Sequence, residues 1–312
     1  MILIGRLPSQ GEHPYQVVVE WLRSKHPDLA QHFVLCTIPA KLPDPAPFKL
    51  LVQWIQDPLD VTDPFAFFQA LELQSACDDQ GIPIVNRVEL HKNTAKTAAY
   101  ERLTEAGIAT PKIHAFETHE AFRGAWSHLK YPLILREDVG HAGEFLLLKS
   151  ALDAKAAPYE KFYRPVLSEY TDVKGADGRY RKYRCVVAGN RAISHHVQTS
   201  ETWLTRGGNR IKDAKTREEE IAYISEPDPH TETMLGVARA LELDYVGIDY
   251  GVDAAGKVVI WEANQFPHLH FSKVDLIYRN FAMERTIAAL VLFYLERAGI
   301  EPTPKLVEQA SY

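Results

Sequence analysis

The feature that most constrains the fold is a pair of apolar segments near the carboxyl end, each carrying a carboxylate. YVGIDYGVD and KVVIWEAN meet at Asp253-Ala-Ala-Gly256, a short stretch typical of a tight turn between two strands. In such a hairpin the strands lie side by side, and successive side chains of each strand point to opposite faces. Glu262 and Asn264 therefore share a face, which Asp249 on the partner strand can also reach. The sequence predicts three oxygen-bearing side chains converging within an apolar sheet.

Two interpretations account for these polar side chains. Burying a carboxylate without a partner is very costly. Coordination of Mg²⁺ would offset that cost, because this ion takes oxygen ligands from few protein carboxylates together with nucleotide phosphates. Alternatively, Asp249 pairs with an arginine and Glu262 caps a loop. For one acidic residue in a strand the second interpretation is the commoner, but the three residues together favour the metal.

The remaining pattern indicates an α/β chain. Strands are predicted in the first ~90 residues at MILIG, HFVLCTIP, KLLVQWI and IPIVN. Because helical patterns alternate with them, a parallel sheet is expected. No GxGxxG follows the first strand, which gives no support for a dinucleotide domain. Later segments predict five further strands before the carboxylate hairpin: YPLILRE, FLLLKS, PVLSEYTDV, KYRCVVAG and RAISHHVQ. A helix is predicted over residues 93–106, ended by Gly107, and another at about 274–298.

Composition and charge exclude several classes of protein. Lys+Arg is 35 and Asp+Glu is 41 in 312 residues, so the net charge of −6 gives no general basic field for nucleic acid. The three cysteines are far apart and form no CxxC pair, which argues against a disulfide scaffold or a zinc site. No stretch approaches the ~20 apolar residues of a membrane span, and the first residues lack signal-peptide features. We therefore expect a cytoplasmic protein without nucleic-acid or membrane partners.

The hairpin belongs to a series of motifs through which residues 82 to 298 resemble the ATP-grasp superfamily. The resemblance is closest to the ligases that add glutamate to ribosomal protein or related peptides. Six short motifs carry it in order: Lys96 before Gly107-Ile-Ala-Thr-Pro111, Pro132-Leu-Ile-Leu-Arg136 with Gly140-His-Ala-Gly143, Ser168-Glu-Tyr-Thr171, Arg206-Gly-Gly208, Gly247-Ile-Asp249, and Glu262-Ala-Asn264. Each motif alone is weak, whereas six in order and at workable spacing are specific.

The resemblance implies an α/β (α+β) ATP-grasp fold that clasps a nucleotide. A parallel α/β lobe would span residues 1–86, a lid-like lobe 87–160, and a lobe with the metal site 161–312. Lys96 and Arg136 would contact the phosphates of ATP, and the turn of Gly140, His141 and Gly143 would fold over them. Family members usually have lysine where this chain has Arg136, which keeps the charge but replaces a point ammonium by a planar fork.

The resemblance also assigns the rest of the nucleotide site. The hinge backbone at Glu169 and Thr171 would hydrogen-bond the adenine edge, while Tyr170 between them packs. Asp177 is a candidate for the ribose hydroxyls.

Metal and catalytic roles follow from the same resemblance. Asp249, Glu262 and Asn264 would bind one or two Mg²⁺ ions, for which Mn²⁺ can substitute. Arg184 and Arg206 would act as catalytic residues facing the transferred phosphoryl group or a substrate carboxylate.

Family members usually phosphorylate a carboxylate with ATP and let an amine attack the acyl phosphate, giving an amide, ADP and phosphate. The resemblance thus implies an ATP-dependent carboxylate–amine ligase acting on small-molecule or peptide substrates. The alternatives are a kinase of the same fold that phosphorylates a hydroxyl, and a nucleotide-binding module without turnover. The usual NxSPG after the metal asparagine is Asn264-Gln-Phe-Pro-His268 here, so a different substrate is expected, with His268 a candidate acceptor-site residue.

Three further segments carry expectations. The basic loop at about 200–217 is a lid over an anionic substrate or, equally, a solvated loop; its cations are Arg206, Arg210, Lys212, Lys215 and Arg217. The run Glu218-Glu219-Glu220 is predicted to be a solvated helix start. Phe65-Ala-Phe67-Phe68 predicts core or a subunit interface, and a homodimer is expected from this aromatic-rich lobe and from the family.

Overall fold

The computed structural model describes residues 1–7, 14–38, 44–56, 58–140 and 143–312. Within these ranges the strands form three four-stranded sheets. The first sheet has the order β2-β1-β3-β4 and consists of parallel pairs. Its strands are β1 Ile2–Arg6, β2 Phe33–Thr37, β3 Leu50–Gln53 and β4 Ile84–Val85. Four helices accompany it: α1 Pro14–Lys25, α2 Pro27–Ala30, α3 Leu59–Thr62 and α4 Pro64–Asp78. The predicted parallel α/β lobe is confirmed.

The second sheet is antiparallel, with the order β5-β8-β6-β7. Its strands are β5 Ile113–Ala115, β6 Leu133–Glu137, β7 Leu146–Leu148 and β8 Pro165–Glu169. Its helices are α5 Lys96–Glu105, α6 His119–Ala125 and α7 Ala151–Ala156. The predicted start of α5 at residue 93 is wrong, because Val88–Thr94 forms a 3₁₀ turn first. Gly107, with φ of +72°, ends the helix as predicted.

The third sheet is also antiparallel and has the order β10-β9-β11-β12. Its strands are β9 Tyr180–Ala188, β10 Arg191–Ser200, β11 Tyr245–Val252 and β12 Val258–Asn264. The helices that follow or flank them are α8 Ala214–Ser225, α9 Thr231–Ala240, α10 Asn280–Arg297 and α11 Pro304–Gln309. The predicted hairpin of β11 and β12 is confirmed, and β9 and β10 form a second antiparallel pair of consecutive strands.

Helix α10 joins the first and third sheets in one core. Its residues from Ile287 to Leu295 are buried and belong to the same apolar cluster as Ile4 of β1 and Val186 of β9. The predicted start of this helix at about residue 274 is wrong, and Ile277 before the helix and Phe281 in its first turn are 65% and 41% exposed. The segment Val274–Arg279 is a separate 3₁₀ turn, so its side chains do not continue the helical face.

The aromatic run of α4 does not lie in the core as a whole. Phe65 and Phe68 are each 63% exposed, whereas Ala66 between them is buried.

Strand β8 pairs within the second sheet, which therefore extends to Glu169. The division into lobes at residues 86 and 160 stays a prediction. None of the helices in the described ranges has the length and apolar character needed to cross a bilayer.

Candidate active site

A cavity of about 580 Å³ is lined by residues of the second and third sheets and of the loops between them. Ten of the residues proposed from the sequence line it: Lys96, Arg136, Glu169, Tyr170, Thr171, Arg184, Arg206, Asp249, Glu262 and Asn264. The fold thus brings together residues separated by up to 168 positions in the chain. His141 lies outside the described residues. A shared cavity is the arrangement expected of a binding or active site.

One transverse row of side chains crosses three strands of the third sheet at the cavity. Arg184 on β9 pairs directly with Asp249 on β11, which pairs directly with Glu262 on β12. Directly paired residues point to the same face, so the two carboxylates stand next to each other as the sequence predicted. Asn264 lies two residues beyond Glu262, opposite Gly247, and also lines the cavity.

Asp249 is almost fully buried and is held by two cations. Arg184 forks onto it, with Nε on Oδ1 and Nη2 2.8 Å from Oδ2, and Lys182 Nζ lies 3.2 Å from Oδ2. Burial alone would raise the pKa of Asp249, but the charges of Arg184 and Lys182 outweigh it and hold the pKa below its ordinary value. The arginine pairing that the sequence left as the alternative for Asp249 is therefore present.

The other two proposed metal ligands also carry protein contacts. Arg136 Nη2 donates to Glu262 Oε2 at 3.1 Å, and the amide N–H of Phe266 donates to Asn264 Oδ1 at 2.7 Å. In the part of the chain that the structure describes, no group of three or more His, Cys, Asp or Glu side chains is placed to hold a metal ion. The donor chemistry suits Mg²⁺, but a three-ligand site would require these contacts to be exchanged. Metal binding by the full set stays a prediction.

Three further cations line the cavity: Arg136 on β6, Lys96 at the start of α5 and Arg206 in the loop after β10. The guanidinium carbons of Arg136 and Arg206 lie 4.5 and 4.9 Å from the centre of the Phe145 ring, within cation–π distance. Arg206 Nη2 donates to the carbonyl of Gly143 at 2.9 Å, and Lys96 Nζ donates to the carbonyl of Gly140 at 2.6 Å. Gly140 and Gly143 are thus each bonded to one of the cations that the sequence assigned to phosphate or substrate.

The hinge strand ends at the cavity but uses part of its backbone in the sheet. The N–H of Glu169 donates to Lys112 O at 2.9 Å, and the N–H of Tyr170 donates to Pro132 O at 3.2 Å. These two donors are therefore committed, and an adenine edge would have to be read by the hinge carbonyls and the amide of Thr171. The Glu169 side chain lies 3.2 Å from His114 Nε2.

Asp177 does not line the cavity. Its carboxylate is forked by Arg181 at 3.0 and 2.7 Å on the turn between β8 and β9. Hydrogen bonds from Arg181 lower the pKa of Asp177. The proposed ribose contact therefore finds no support in this arrangement and would require Asp177 to leave its arginine.

The basic loop before α8 is tied to neighbouring elements, and the acidic run that follows it is solvated at Glu218 but buried at Glu220. Arg210 and Arg279 both pair with Glu220, which is fully buried within α8 and also accepts from the N–H of Val197 at 3.0 Å. Tyr278 Oη donates to the same carboxylate. Of the five cations in the loop, the structure places Arg206 at the cavity. The run of three glutamates gave no sign that Glu220 is buried, because only the third glutamate falls on the buried face of the helix.

Several cavity residues were missed from the sequence. Lys182 and Gln198 are direct partners on β9 and β10, and Phe145 and Trp203 line the wall near Arg206 and Tyr170. Lys182 had a usable signal, because it lies two residues before Arg184 on one strand and so must share its face. A lone tryptophan in a polar loop was the corresponding signal for Trp203.

Burial sets the direction of the pKa shifts of His195 and His196, two adjacent histidines near the site. Burial and the nearby charge of Arg184 lower the pKa of His195 to about 3, and burial also lowers the pKa of His196. The Nδ1 atoms of the two rings lie 2.8 Å apart, and the ring planes are inclined at 74°. His268, proposed for the acceptor side, lines the cavity.

Comparison with known proteins identifies the fold. No protein-family model matches the chain, and no curated protein matches its sequence. A RimK domain protein of the ATP-grasp type from Sphaerobacter thermophilus matches with a TM-score of 0.58 and 18% identity, over 93% of this chain and 99% of that chain. D-alanine–D-alanine ligase from Bacillus anthracis, solved with ATP, gives 0.55 and 12% over 97% and 99%. The ATP-grasp ligase PsnB, solved with precursor peptide PsnA2 and AMPPNP, gives 0.57 and 14% over 99% and 97%.

Proposed function

Because this chain has the ATP-grasp fold, we propose that it is an ATP-dependent carboxylate–amine ligase that forms an amide bond and releases ADP. The observation that carries the proposal is the convergence of cationic side chains on the cavity beside the carboxylate pair. Five cations from strands, a helix and a loop line it: Lys96, Arg136, Lys182, Arg184 and Arg206. They face three carboxylates, those of Glu169, Asp249 and Glu262. The excess of two positive charges suits a polyanion such as a nucleotide triphosphate.

The proposed reaction has two steps. A carboxylate oxygen of the first substrate attacks the terminal phosphorus of ATP, the bond from that phosphorus to the bridging oxygen breaks, and ADP leaves. An amine of the second substrate then attacks the acyl carbon, phosphate leaves with the carbon–oxygen bond pair, and the amine proton passes to solvent. Such chemistry depends on positioning and charge neutralisation rather than on a protein nucleophile.

The chain's own residues would supply that positioning. Arg184 uses Nε and Nη2 on Asp249, which fixes the guanidinium plane and turns Nη1 toward other partners. Arg136 and Arg206, both stacked on Phe145, would exchange their present oxygen partners for phosphate oxygens. A Mg²⁺ ion bound with the nucleotide would neutralise charge on the terminal phosphates, and Glu262 is the side chain through which this chain would hold it.

The structurally similar proteins support both the ligase chemistry and a small-molecule or peptide substrate. The three compared above are named as a RimK domain protein and as ligases, and PsnB was solved with a peptide. We therefore propose small-molecule or peptide carboxylate and amine substrates for this chain, with His268 on the acceptor side. A cytoplasmic location and a homodimer remain predictions.

The test is ADP release from ATP in pools of amino acids and short peptides that offer carboxylates and amines. We expect release that requires both a carboxylate and an amine. ADP release that needs no amine and leaves a stable phosphorylated hydroxyl would favour the kinase, and bound ATP without turnover in any pool would favour the binding module. Arg184→Met should lose release, whereas Arg191→Met, which removes an arginine bonded to Glu296 away from the cavity, should retain it.

A further inference from the structure

We propose that His195 is the base that takes the proton from the amine substrate, and that His196 positions the His195 ring for that role. The inference rests on the proposed function, because it concerns the amide-forming step of the same reaction. It deepens that function by naming the chain's own acceptor for a proton that must leave the nitrogen.

The two histidines lie at an irregularity of strand β10. Ser194 pairs with Cys185 and His196 pairs with Arg184, so His195 is one extra residue on β10. In regular pairing, adjacent side chains point to opposite faces of the sheet. A bulge re-aims a side chain and is common beside active sites. Here the two rings come together, with their Nδ1 atoms 2.8 Å apart.

The histidine pair lies beside the cavity, between Arg184 and the segment that carries His268. His196 shares the sheet face of Arg184, its direct partner, and Arg184 lines the cavity. His195 is within electrostatic reach of both Arg184 and His270. His270 follows His268 by two residues, and His268 lines the cavity. The pair is therefore on the side of the cavity that we assign to the amine.

The contact between the rings restricts where their protons lie. Two facing Nδ1 atoms share one proton, so one ring donates through Nδ1–H and the other accepts, with its own proton on Nε2. Among the described residues, no group hydrogen-bonds the buried Nε2 of His195. A buried N–H without an acceptor is rarer than a buried acceptor without a donor, which places the shared proton on Nδ1 of His195. Its Nε2 is then an unprotonated acceptor, held in orientation by His196.

The surroundings keep both rings neutral while the cavity holds no polyanion. Burial and the charge of Arg184 lower the pKa of His195 to about 3, and burial also lowers the pKa of His196. Phosphate groups that offset the charge of Arg184 would raise both pKa values, so His195 becomes a stronger base once the acyl phosphate is in place. The charged or titratable groups that face the pair are Arg184 and Lys182 on β9, Asp249 on β11, His270 after β12, and Arg279 in the 274–279 turn with its partner Glu220.

The proposed step moves one proton. The amine nitrogen attacks the acyl carbon, a nitrogen–carbon bond forms, and the proton of the nitrogen moves to Nε2 of His195. Phosphate leaves with the electron pair of the carbon–oxygen bond. The imidazolium keeps its Nδ1–H on His196 and then releases the Nε2 proton to water, which restores the starting tautomer.

The test separates formation of the acyl phosphate from its capture by an amine, with a carboxylate that supports ADP release in the wild type. Hydroxylamine captures acyl phosphates as hydroxamates without a protein base, so ADP release in hydroxylamine reports the first step. For His195→Gln we expect amine-dependent release to fall roughly a hundredfold, while release with hydroxylamine stays within about twofold of the wild type. His128→Gln, at an exposed histidine, is the matched control and should change neither rate.

Two changes at His196 test the positioning role. His196→Asn keeps an oxygen acceptor near the position of Nδ1 and should retain amine-dependent release. His196→Ala removes the acceptor and should lose amine-dependent release, again with hydroxylamine-dependent release retained. These two variants test the inference even where His195→Gln does not fold.

Three results would overturn the inference and leave the proposed function intact, because the wild type still forms the acyl phosphate. The first is an equal fall with amine and with hydroxylamine in His195→Gln, which would show a structural role. The second is amine-dependent release at the wild-type rate in a folded His195→Gln, and the third is equal release in His196→Ala and His196→Asn. No ADP release by the wild type with any carboxylate, in amine or in hydroxylamine, would defeat the proposed function and the inference together.

Discussion

Glu220 holds together β10, the loop that follows it and the 274–279 turn, and its substitution is the sharpest test of this arrangement. Its carboxylate is fully buried and accepts from Arg210, Arg279, Tyr278 and the N–H of Val197. In Glu220→Gln the side chain keeps its shape but loses its charge, which leaves two largely buried guanidinium groups without a counter-ion. Removing one partner of a buried ion pair costs about 3–5 kcal/mol. For a chain of this length, that lowers the melting temperature by roughly 5–8 °C.

The assay is urea and thermal unfolding of wild type and Glu220→Gln at neutral pH. Glu218→Gln is the matched control, because it removes an exposed carboxylate from the same helix and should change stability by less than about 0.5 kcal/mol. Equal stability of Glu220→Gln and Glu218→Gln would refute the reasoning that this carboxylate neutralises the two arginines. Because the cluster joins β10, the following loop and the 274–279 turn, we also expect weaker nucleotide binding in Glu220→Gln.

Three further outcomes follow. Glu262→Gln should lower ADP release roughly a hundredfold or more while the melting temperature stays near that of the wild type, because the carboxylate serves the nucleotide rather than the fold. Gly247→Ala should cost about 1–3 kcal/mol in the free energy of unfolding, since an added Cβ would lie 2.8 Å from Pro267. Burial lowers the pKa of His91 to about 4 and of His195 to about 3, so protons bind the unfolded chain first as the pH falls below ~6.5. Stability should therefore be full above that pH and decline toward pH 4, and His91→Gln should reduce the slope by about 1.4 kcal/mol per pH unit.

Matched variants keep these outcomes specific. Gly208→Ala adds a Cβ with no atom within 4 Å and should leave stability unchanged. His128→Gln removes an exposed histidine and should leave the pH slope unchanged. A Glu262→Gln protein that turns over like the wild type would contradict the role given to Glu262. Unchanged stability of Gly247→Ala, or an unchanged slope in His91→Gln, would contradict the packing and burial arguments.

The positions of most strands could be predicted from the sequence because the chain alternates apolar runs with clear turn residues. The hairpin of β11 and β12, with Gly256 at φ +81°, is an example in which the local signals predict both strands. Its register shifts by one residue between Asp249 and Tyr250, so Asp249 pairs with Glu262 rather than with Trp261, and the sequence pattern did not show this shift. The motif order then placed Lys96 and Arg136 in the same cavity, although Lys96 lies on α5 and Arg136 on the second sheet.

What escaped the sequence depends on side-chain choices between several possible partners. A carboxylate such as Asp249 can take a metal, an arginine or a lysine, and only the register between β9 and β11 shows that Arg184 and Lys182 both reach it. Glu220 looked like its solvated neighbours because the composition around it is uniformly charged. Asp177 was assigned by the resemblance, while Arg181, which pairs with its carboxylate, lies four residues away.

The most direct test of the central claim is thermal unfolding with ATP and Mg²⁺, compared with GTP and Mg²⁺ and with ATP and EDTA. ATP at about 100 times its dissociation constant should stabilise the protein by about 2.7 kcal/mol, an upward shift of roughly several degrees. We predict that this shift requires both ATP and the divalent cation and is lost in Arg136→Met, whose side chain lies in the cavity. No shift with ATP, or a shift that Arg136→Met retains in full, would contradict the assignment of this cavity to an ATP-dependent ligase.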